Sequence, residues 1–272
     1  MGIVNLSPDS FSGDGVEDAG AALLKARQMA ADGADIIDVG GESTRPGTAP
    51  LPVEEELRRV VPVVEKLRQE LPVPLSVDTY KLEVARQAVD SGARMINDIW
   101  GLKKEPRLAE LAAQHNIPII LMSNQRDVSP HHDADFPDIL SVVIADLRRA
   151  IEQALASGVP RENIIVDPGI GFGKTQEQNL DLLRRLEELK SLGQPILLGS
   201  SRKSVIGWVL DLTPEQRREG KAFLPPANPR REGTAATIAL GIARGADMVR
   251  VHDVREMARV CKMSDALVRG GW

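Results

Sequence analysis

Ile196-Leu197-Leu198-Gly199-Ser200-Ser201-Arg202-Lys203-Ser204 decides the fold of this chain. An apolar run too short for a helix ends at a glycine and a basic cluster, and a serine then opens a helical pattern. That reads as a buried strand whose carboxyl end carries function and feeds directly into a helix. The same grammar returns at Met248-Val249-Arg250-Val251-His252-Asp253, with Arg250 and His252 at the exit of the next strand. Two basic clusters at the exits of consecutive strands, one beside a helix start, suit an anionic, phosphorylated substrate.

Working outward, apolar runs that read as strands recur at residues 1–6, 34–39, 75–77, 95–97, 117–122, 164–166, 196–198 and 248–251. Amphipathic helical patterns follow at 18–32, 53–70, 82–91, 106–115, 139–157, 176–192, 232–244 and 254–267. Eight strand–helix units predict an α/β chain folded as a (β/α)8 TIM barrel, a single domain over residues 1–272. Only 3% of residues are aromatic while Ala, Leu, Val and Ile dominate, which suits helices packed on parallel strands. A doubly wound nucleotide-binding sheet is the rival, but no G-x-G-x-x-G separates an early strand from its helix. Gly169 to Lys174 imitates a P-loop until Pro168 is found where the leading glycine belongs. Residues 213–231, charged and then Pro-rich, read as an exposed excursion.

With 34 basic and 39 acidic residues the net charge is −5, so a general nucleic-acid surface is excluded and any anion site is local. The one cysteine, Cys261, sits in a helical pattern and is expected to pack; no disulfide framework can form within the chain. No apolar run approaches the ~20 residues that span a bilayer, and no signal-peptide pattern opens the chain, so no membrane partner and a cytoplasmic location are expected. His131-His132-Asp133 lies in a polar loop without a further ligand and reads as solvated.

In such a barrel the residues just after each strand share one mouth. Those exits are polar here: Asn5 and residues 7–12, then 40–47 with Glu42, Thr44, Arg45 and Pro46, then Asp78, Asn97 and Asp98, Asp167, Lys203, Arg250 and His252. Asp78, Asn97, Asp167 and Lys203 together offer acceptors and donors to a flat heterocycle rich in ring N–H and amino groups. Two buried carboxylates facing an N–H/NH2 edge discriminate sharply, because a wrong ligand leaves them unpaired. Taken singly, each aspartate is as readily a helix cap or a partner of Lys203. Arg250, His252, Arg45 and Asn5 would surround the anion, with arginine forks for its oxygens. Ser204 at a helix start could hold a carboxylate, and Met122 and Phe172 suit the walls of a flat-ring pocket.

These motifs closely resemble dihydropteroate synthase, a family of folate biosynthesis. The matching segments are residues 1–12, 40–47, 76–79, 96–98, 167–174, 201–204 and 250–253, in the family's order. The resemblance implies condensation of a 6-hydroxymethyl-7,8-dihydropterin diphosphate with para-aminobenzoate, with Mg2+ as cofactor. It implies that Asp78, Asn97, Asp167 and Lys203 hold the pterin, that Asn5, Arg45, Arg250 and His252 hold the diphosphate, and that Thr44, Pro46 and Ser204 face the aminobenzoate. Lys203, Arg250, His252 and Asp78 are the expected catalytic residues, Asn5 the expected metal contact, and a homodimer the expected assembly.

The implied chemistry is a dissociative C–O cleavage in which the electron-rich pterin delocalises positive charge and the protein stabilises the departing pyrophosphate. Three departures from the family pattern stand out. The first loop reads Ser12-Gly13-Asp14-Gly15, which moves its aspartate by one residue. Ser123 follows Met122 where a histidine is usual. Family members also generally begin ahead of the position of Met1, and such a lead-in would lie away from the chemistry. A pterin-dependent methyltransferase on a related barrel has no need of residues 201–204 and 250–252. A non-catalytic pterin-binding paralogue has only the displaced aspartate to support it.

Overall fold

A computed structural model of the chain describes residues 1–6, 19–43, 48–129, 136–218 and 230–270. The strands are β1 Gly2–Asn5, β2 Ile37–Gly40, β3 Leu75–Asp78, β4 Met95–Asp98, β5 Ile119–Met122, β6 Ile164–Asp167, β7 Leu197–Leu198 and β8 Met248–Val249. The first six pair in parallel in chain order, and β7 pairs with β8. The ring closes through single bridges, Val166 with Ile196 and Gly2 with Val251. Val166 N–H donates to Pro195 O at 2.9 Å, and Ile3 N–H donates to Val251 O at 3.0 Å. The result is the expected eight-stranded barrel.

The helices are α1 Ala19–Ala31, α2 Val53–Glu70, α3 Leu82–Ser91, α4 Arg107–His115, α5 Ile139–Ala156, α6 Gln176–Arg184, α7 Ser204–Leu210, α8 Pro214–Arg218, α9 Arg231–Ala243 and α10 Val254–Val268. Their apolar stripes, such as Val60, Val63, Val64 and Leu67 on α2, cover the outside of the strands in one core reaching from Val4 to Met257. Met1, Met95, Ile120, Ile165 and Leu197 form a separate cluster. Side chains from strands around the ring that touch each other, and not the outer core, fill the barrel's axis. Burial on both faces is what the continuous apolar strands require.

Two differences from expectation have physical causes. The helix expected over 176–192 stops at Arg184 and continues as a tighter 3-10 turn, Leu186–Leu192. A three-residue period aligns Leu186, Leu189 and Leu192, all buried, on one face. Within the stretch read as an excursion lies α8. Thr213 and Gln216 exchange reciprocal side-chain-to-backbone bonds of 3.0 and 3.3 Å, and Pro214 opens the helix. Thr-Pro-Glu-Gln is a capping-box pattern, and that signal was present in the sequence.

Candidate active site

Strand register assembles the mouth. Asn5 pairs with Gly40, Gly40 with Asp78 and Asp78 with Asn97, while Met122 pairs with Asp167. The sequence-expected residues Asn5, Asp78, Asn97, Met122 and Asp167 therefore all lie at or next to the carboxyl ends of their strands, although Asn97 pairs with Ile120, so that Met122 and Asp167 continue two residues further. Lys203 and Ser204 follow β7, and Arg250 and His252 follow β8.

Arg250 organises this row. Its Nη2 donates to Asp78 Oδ2 at 2.6 Å and its Nε to Asp38 Oδ2 at 2.6 Å. Asn97 Nδ2 donates to the same Asp38 oxygen at 3.0 Å. Asp38 is wholly enclosed, and it is the residue that sequence reading missed. The signal was a carboxylate interrupting Ile36-Ile37-Asp38-Val39, absorbed there into an apolar strand. Burial works against the charge on Arg250, and Asp38 and Asp78 more than offset it, so the guanidinium is held above its ordinary value. Burial pushes Asp78 up to about 7 despite Arg250, with Asp38 and Glu56 adding to the shift.

On the opposite side of the mouth, burial raises Asp167 as well, although its Oδ1 accepts the Gly169 N–H at 2.7 Å. Lys203 Nζ lies over the Phe172 ring, 4.1 Å from its centre. Burial, and then Arg126, push Lys203 down to about 7 against the pull of Asp167 and Asp78. The glycine turn after β6 is tightly constrained. At Gly169, φ is +69° and a Cβ would fall 2.1 Å from Ser123 O, so only glycine fits. The loop is no P-loop: the Lys174 ammonium is turned inward onto backbone carbonyls.

The exits of β7 and β8 are latched together. The Ser201 hydroxyl lies 2.9 Å from His252 Nδ1 and accepts the His252 backbone N–H at 3.2 Å. The contact holds the ring in place, with Nδ1 turned to Ser201. Arg202, with φ +57°, forms a two-pronged pair with Asp253 at 3.0 and 2.7 Å. It belongs to the scaffold, although its sequence neighbours place it in the basic cluster. Ser204 begins α7 and accepts from Gln176 Nε2 at 3.3 Å.

Other expected residues stand apart. Asp98 faces its own turn, accepting Trp100 N–H at 2.8 Å and Leu102 N–H at 2.7 Å. Ser123 donates to Asp146 Oδ2 at 3.0 Å and accepts from Gln125 Nε2 at 3.0 Å. Cys261 is half-buried against the outer core. Thr44, Arg45 and Pro46, Asp14 with its loop, and the His131-His132-Asp133 triplet lie outside the described residues. Two surface hollows, by Glu65, Arg68 and Asp90 and by Asp138, Asp181 and Arg185, are lined by residues of the outer helices and their starts.

A barrel mouth with buried carboxylates, an amide, a depressed lysine and an arginine fork is chemically matched to a flat, N–H-rich ring bearing an anion. Comparison with known proteins agrees. The family model described as "Pterin binding enzyme" matches residues 1–252. Dihydropteroate synthase of Bacillus subtilis is 49% identical over 272 residues, covering 100% of this chain and 89% of the relative. The crystal structure of a Clostridium difficile dihydropteroate synthase in the presence of pteroic acid superposes with a TM-score of 0.85 at 47% identity, covering 99% of this chain and 96% of that one. A Yersinia pestis dihydropteroate synthase in a sulfonamide drug complex gives 0.88 at 38% identity, covering 100% and 94%. The chain belongs to the pterin-binding enzyme family and, within it, to the dihydropteroate synthases.

Proposed function

We propose that the chain transfers a dihydropterin-methyl group from 6-hydroxymethyl-7,8-dihydropterin diphosphate to para-aminobenzoate, releasing pyrophosphate and forming 7,8-dihydropteroate. One observation carries the site assignment: Asp78 and Asp167, both raised by burial, share a mouth with Lys203 and Arg250. Asp78, Asn97, Asp167 and Lys203 meet the pterin's N–H, amino and carbonyl edge, with Met122 and Phe172 as walls. Asn5, Arg45, Arg250 and His252 take the diphosphate, and Thr44, Pro46 and Ser204 the aminobenzoate.

The C–O bond to the diphosphate breaks with its electron pair staying on the leaving oxygen. The pterin ring donates electron density to the exocyclic methylene, and the buried carboxylates of Asp78 and Asp167 stabilise the positive charge that spreads over the ring. Arg250 and the His252 ring donate to the leaving oxygens. The aniline nitrogen then attacks the methylene and sheds a proton, so no side-chain nucleophile is required. Mg2+ fits as an ion carried by the substrate: among the described residues no group of three His, Cys, Asp or Glu could hold a metal, whereas Asn5 offers one amide oxygen at the mouth. When bound, the ion neutralises charge on the departing pyrophosphate.

A sulfonamide competes with aminobenzoate in this reading, since both are anilines with an acidic group across the ring. On α10, Val260 is partly buried against the core, whereas Met263 and Leu267 are 59% and 75% exposed. Barrel packing does not account for them, which supports a homodimer through this face. No helix among the described residues is long and apolar enough to cross a membrane, and we place the enzyme in the cytoplasm with its small-molecule substrates.

The test is pyrophosphate release by the purified chain with pterin diphosphate and Mg2+, with and without para-aminobenzoate. Release that depends on the aminobenzoate and disappears in Lys203→Ala supports the synthase. Pterin binding without turnover points instead to the non-catalytic paralogue.

A further inference from the structure

Among the described residues Lys174 is the largest side chain wholly enclosed, with 1% of its surface exposed. Its Nζ donates to Ser123 O at 2.8 Å, Gly169 O at 2.9 Å and Phe172 O at 3.1 Å. Ser123 lies just beyond β5, and Gly169 and Phe172 lie in the turn beyond β6. One ammonium therefore joins the two strand exits that carry Met122 and Phe172, the walls assigned to the pterin.

A buried charge in this place is costly, and burial pushes Lys174 down to about 7. Methionine would fill much of the same volume without that cost. The carbonyl geometry supplies the reason for a lysine. Three acceptors converge on one atom, and only an ammonium has three protons to give them. Gly169 O and Phe172 O belong to one tight turn, closed by the Phe172 N–H donating to Gly169 O at 3.1 Å. Their dipoles point to a common centre and repel one another unless a cation sits there.

Phe172, itself buried, links this arrangement to Lys203. Its backbone oxygen is held by Lys174 and accepts the Gln125 N–H at 3.2 Å. Its ring packs beneath Lys203 Nζ at 4.1 Å and the Arg126 guanidinium at 4.4 Å. A change in the turn's height would move the ring and, through it, the ammonium of Lys203. We propose that Lys174 is a positioning residue for pterin recognition, whose gathering of the Ser123, Gly169 and Phe172 carbonyls fixes the Phe172 ring against Lys203. This rests on the assignment of Phe172 and Lys203 to the pterin.

The experiment compares wild type, Lys174→Met, Phe172→Leu and the double variant. It reads KM for each substrate, Kd for 6-hydroxymethylpterin by calorimetry, and the melting temperature. Lys174→Met should raise the pterin KM and Kd together by about tenfold, with the aminobenzoate KM within about twofold of wild type. In the Phe172→Leu background the same change should add little, because both act on one wall. A lower melting temperature with both KM values unchanged would reduce Lys174 to scaffold and overturn the proposal, as would effects that multiply in the double variant. Should Lys174→Met not fold, Lys174→Gln, which keeps two N–H donors, decides: an intermediate pterin KM supports the role and a wild-type value ends it. Wild type itself tests the assignment beneath, since failure of wild type to bind 6-hydroxymethylpterin removes the pterin reading whatever the variants do.

Discussion

Arg250 Nε lies 2.6 Å from Asp38 Oδ2, a bond across the barrel between the last strand exit and the interior of β2. Asp38 is wholly enclosed, and its second oxygen, Oδ1, has no hydrogen-bond partner among the described residues. A buried carboxylate so placed makes sense as a counter-charge that aims the guanidinium, with Asp78 as the second prong.

Asp38→Asn keeps the volume and one oxygen but removes the charge that orients Arg250. kcat/KM for the pterin diphosphate should fall by about tenfold or more, while the fold persists. Asp38→Ala should in addition cost about 3 kcal/mol, because it strands a buried arginine beside one carboxylate. Steady-state kinetics with denaturant melts separates the two. Wild-type kinetics in Asp38→Asn would mean that Asp78 alone holds Arg250.

The barrel was legible because its strands and helices alternate in a pattern that depends on local periodicity. What escaped depends on space. Asp38 looks like one polar residue in an apolar strand until register puts it inside the ring beneath Asn97 and Arg250. Arg202 and Lys203 are adjacent and equally basic, yet the positive φ at Arg202 turns its guanidinium to Asp253 while Lys203 faces Phe172. Lys174 imitates a phosphate-binding lysine in sequence, and only the converging carbonyls show that it points inward. Residue type was readable from the chain, and side-chain direction was not.

Lys203 should exact a cost in stability that depends on pH. Its folded value is pushed down to about 7 from the ordinary lysine value of 10.5, so between those two values the unfolded chain binds more protons than the folded one. The Lys203 contribution to stability therefore rises as pH climbs from about 7 towards 10.5, and the cost is largest at and below pH 7. Lys203→Met should be inactive yet more stable than wild type by about 1–3 kcal/mol near pH 7, an advantage that shrinks towards pH 10. Urea melts at several pH values measure it, and an advantage independent of pH would trace the gain to packing instead.

Ser201→Ala removes the partner of His252 Nδ1 and the acceptor of its backbone N–H. The imidazole then loses a contact that orients it, and the leaving diphosphate loses an aimed group. kcat should fall by about three- to tenfold with binding of 6-hydroxymethylpterin unchanged, since that ligand has no diphosphate. Calorimetry beside turnover assays checks this, and weaker binding of the pterin itself would place Ser201 in the wrong half of the site.

Gly169→Ala places a Cβ 2.1 Å from Ser123 O at a φ of +69°. The turn must shift, and with it the Asp167 oxygen that accepts the Gly169 N–H at 2.7 Å. A loss of at least about 2 kcal/mol is expected, from backbone strain together with overpacking. Pterin binding should weaken with it. Thermal melts and pterin calorimetry read both, and an alanine variant as stable as wild type would show that the turn has room to relax.

Removal of Mg2+ tests how the ion is held. A resident metal in a protein cage stabilises the folded chain in proportion to its affinity, so chelation lowers the melting temperature of the substrate-free enzyme. Among the described residues no such cage exists, and Asn5 contributes a single amide oxygen. Chelation should therefore leave the melting temperature of the substrate-free chain unchanged, abolish pyrophosphate release, and weaken binding of the pterin diphosphate far more than of 6-hydroxymethylpterin. A melting temperature that drops on chelation before any substrate is added would require a resident site, with ligands drawn from outside the described residues.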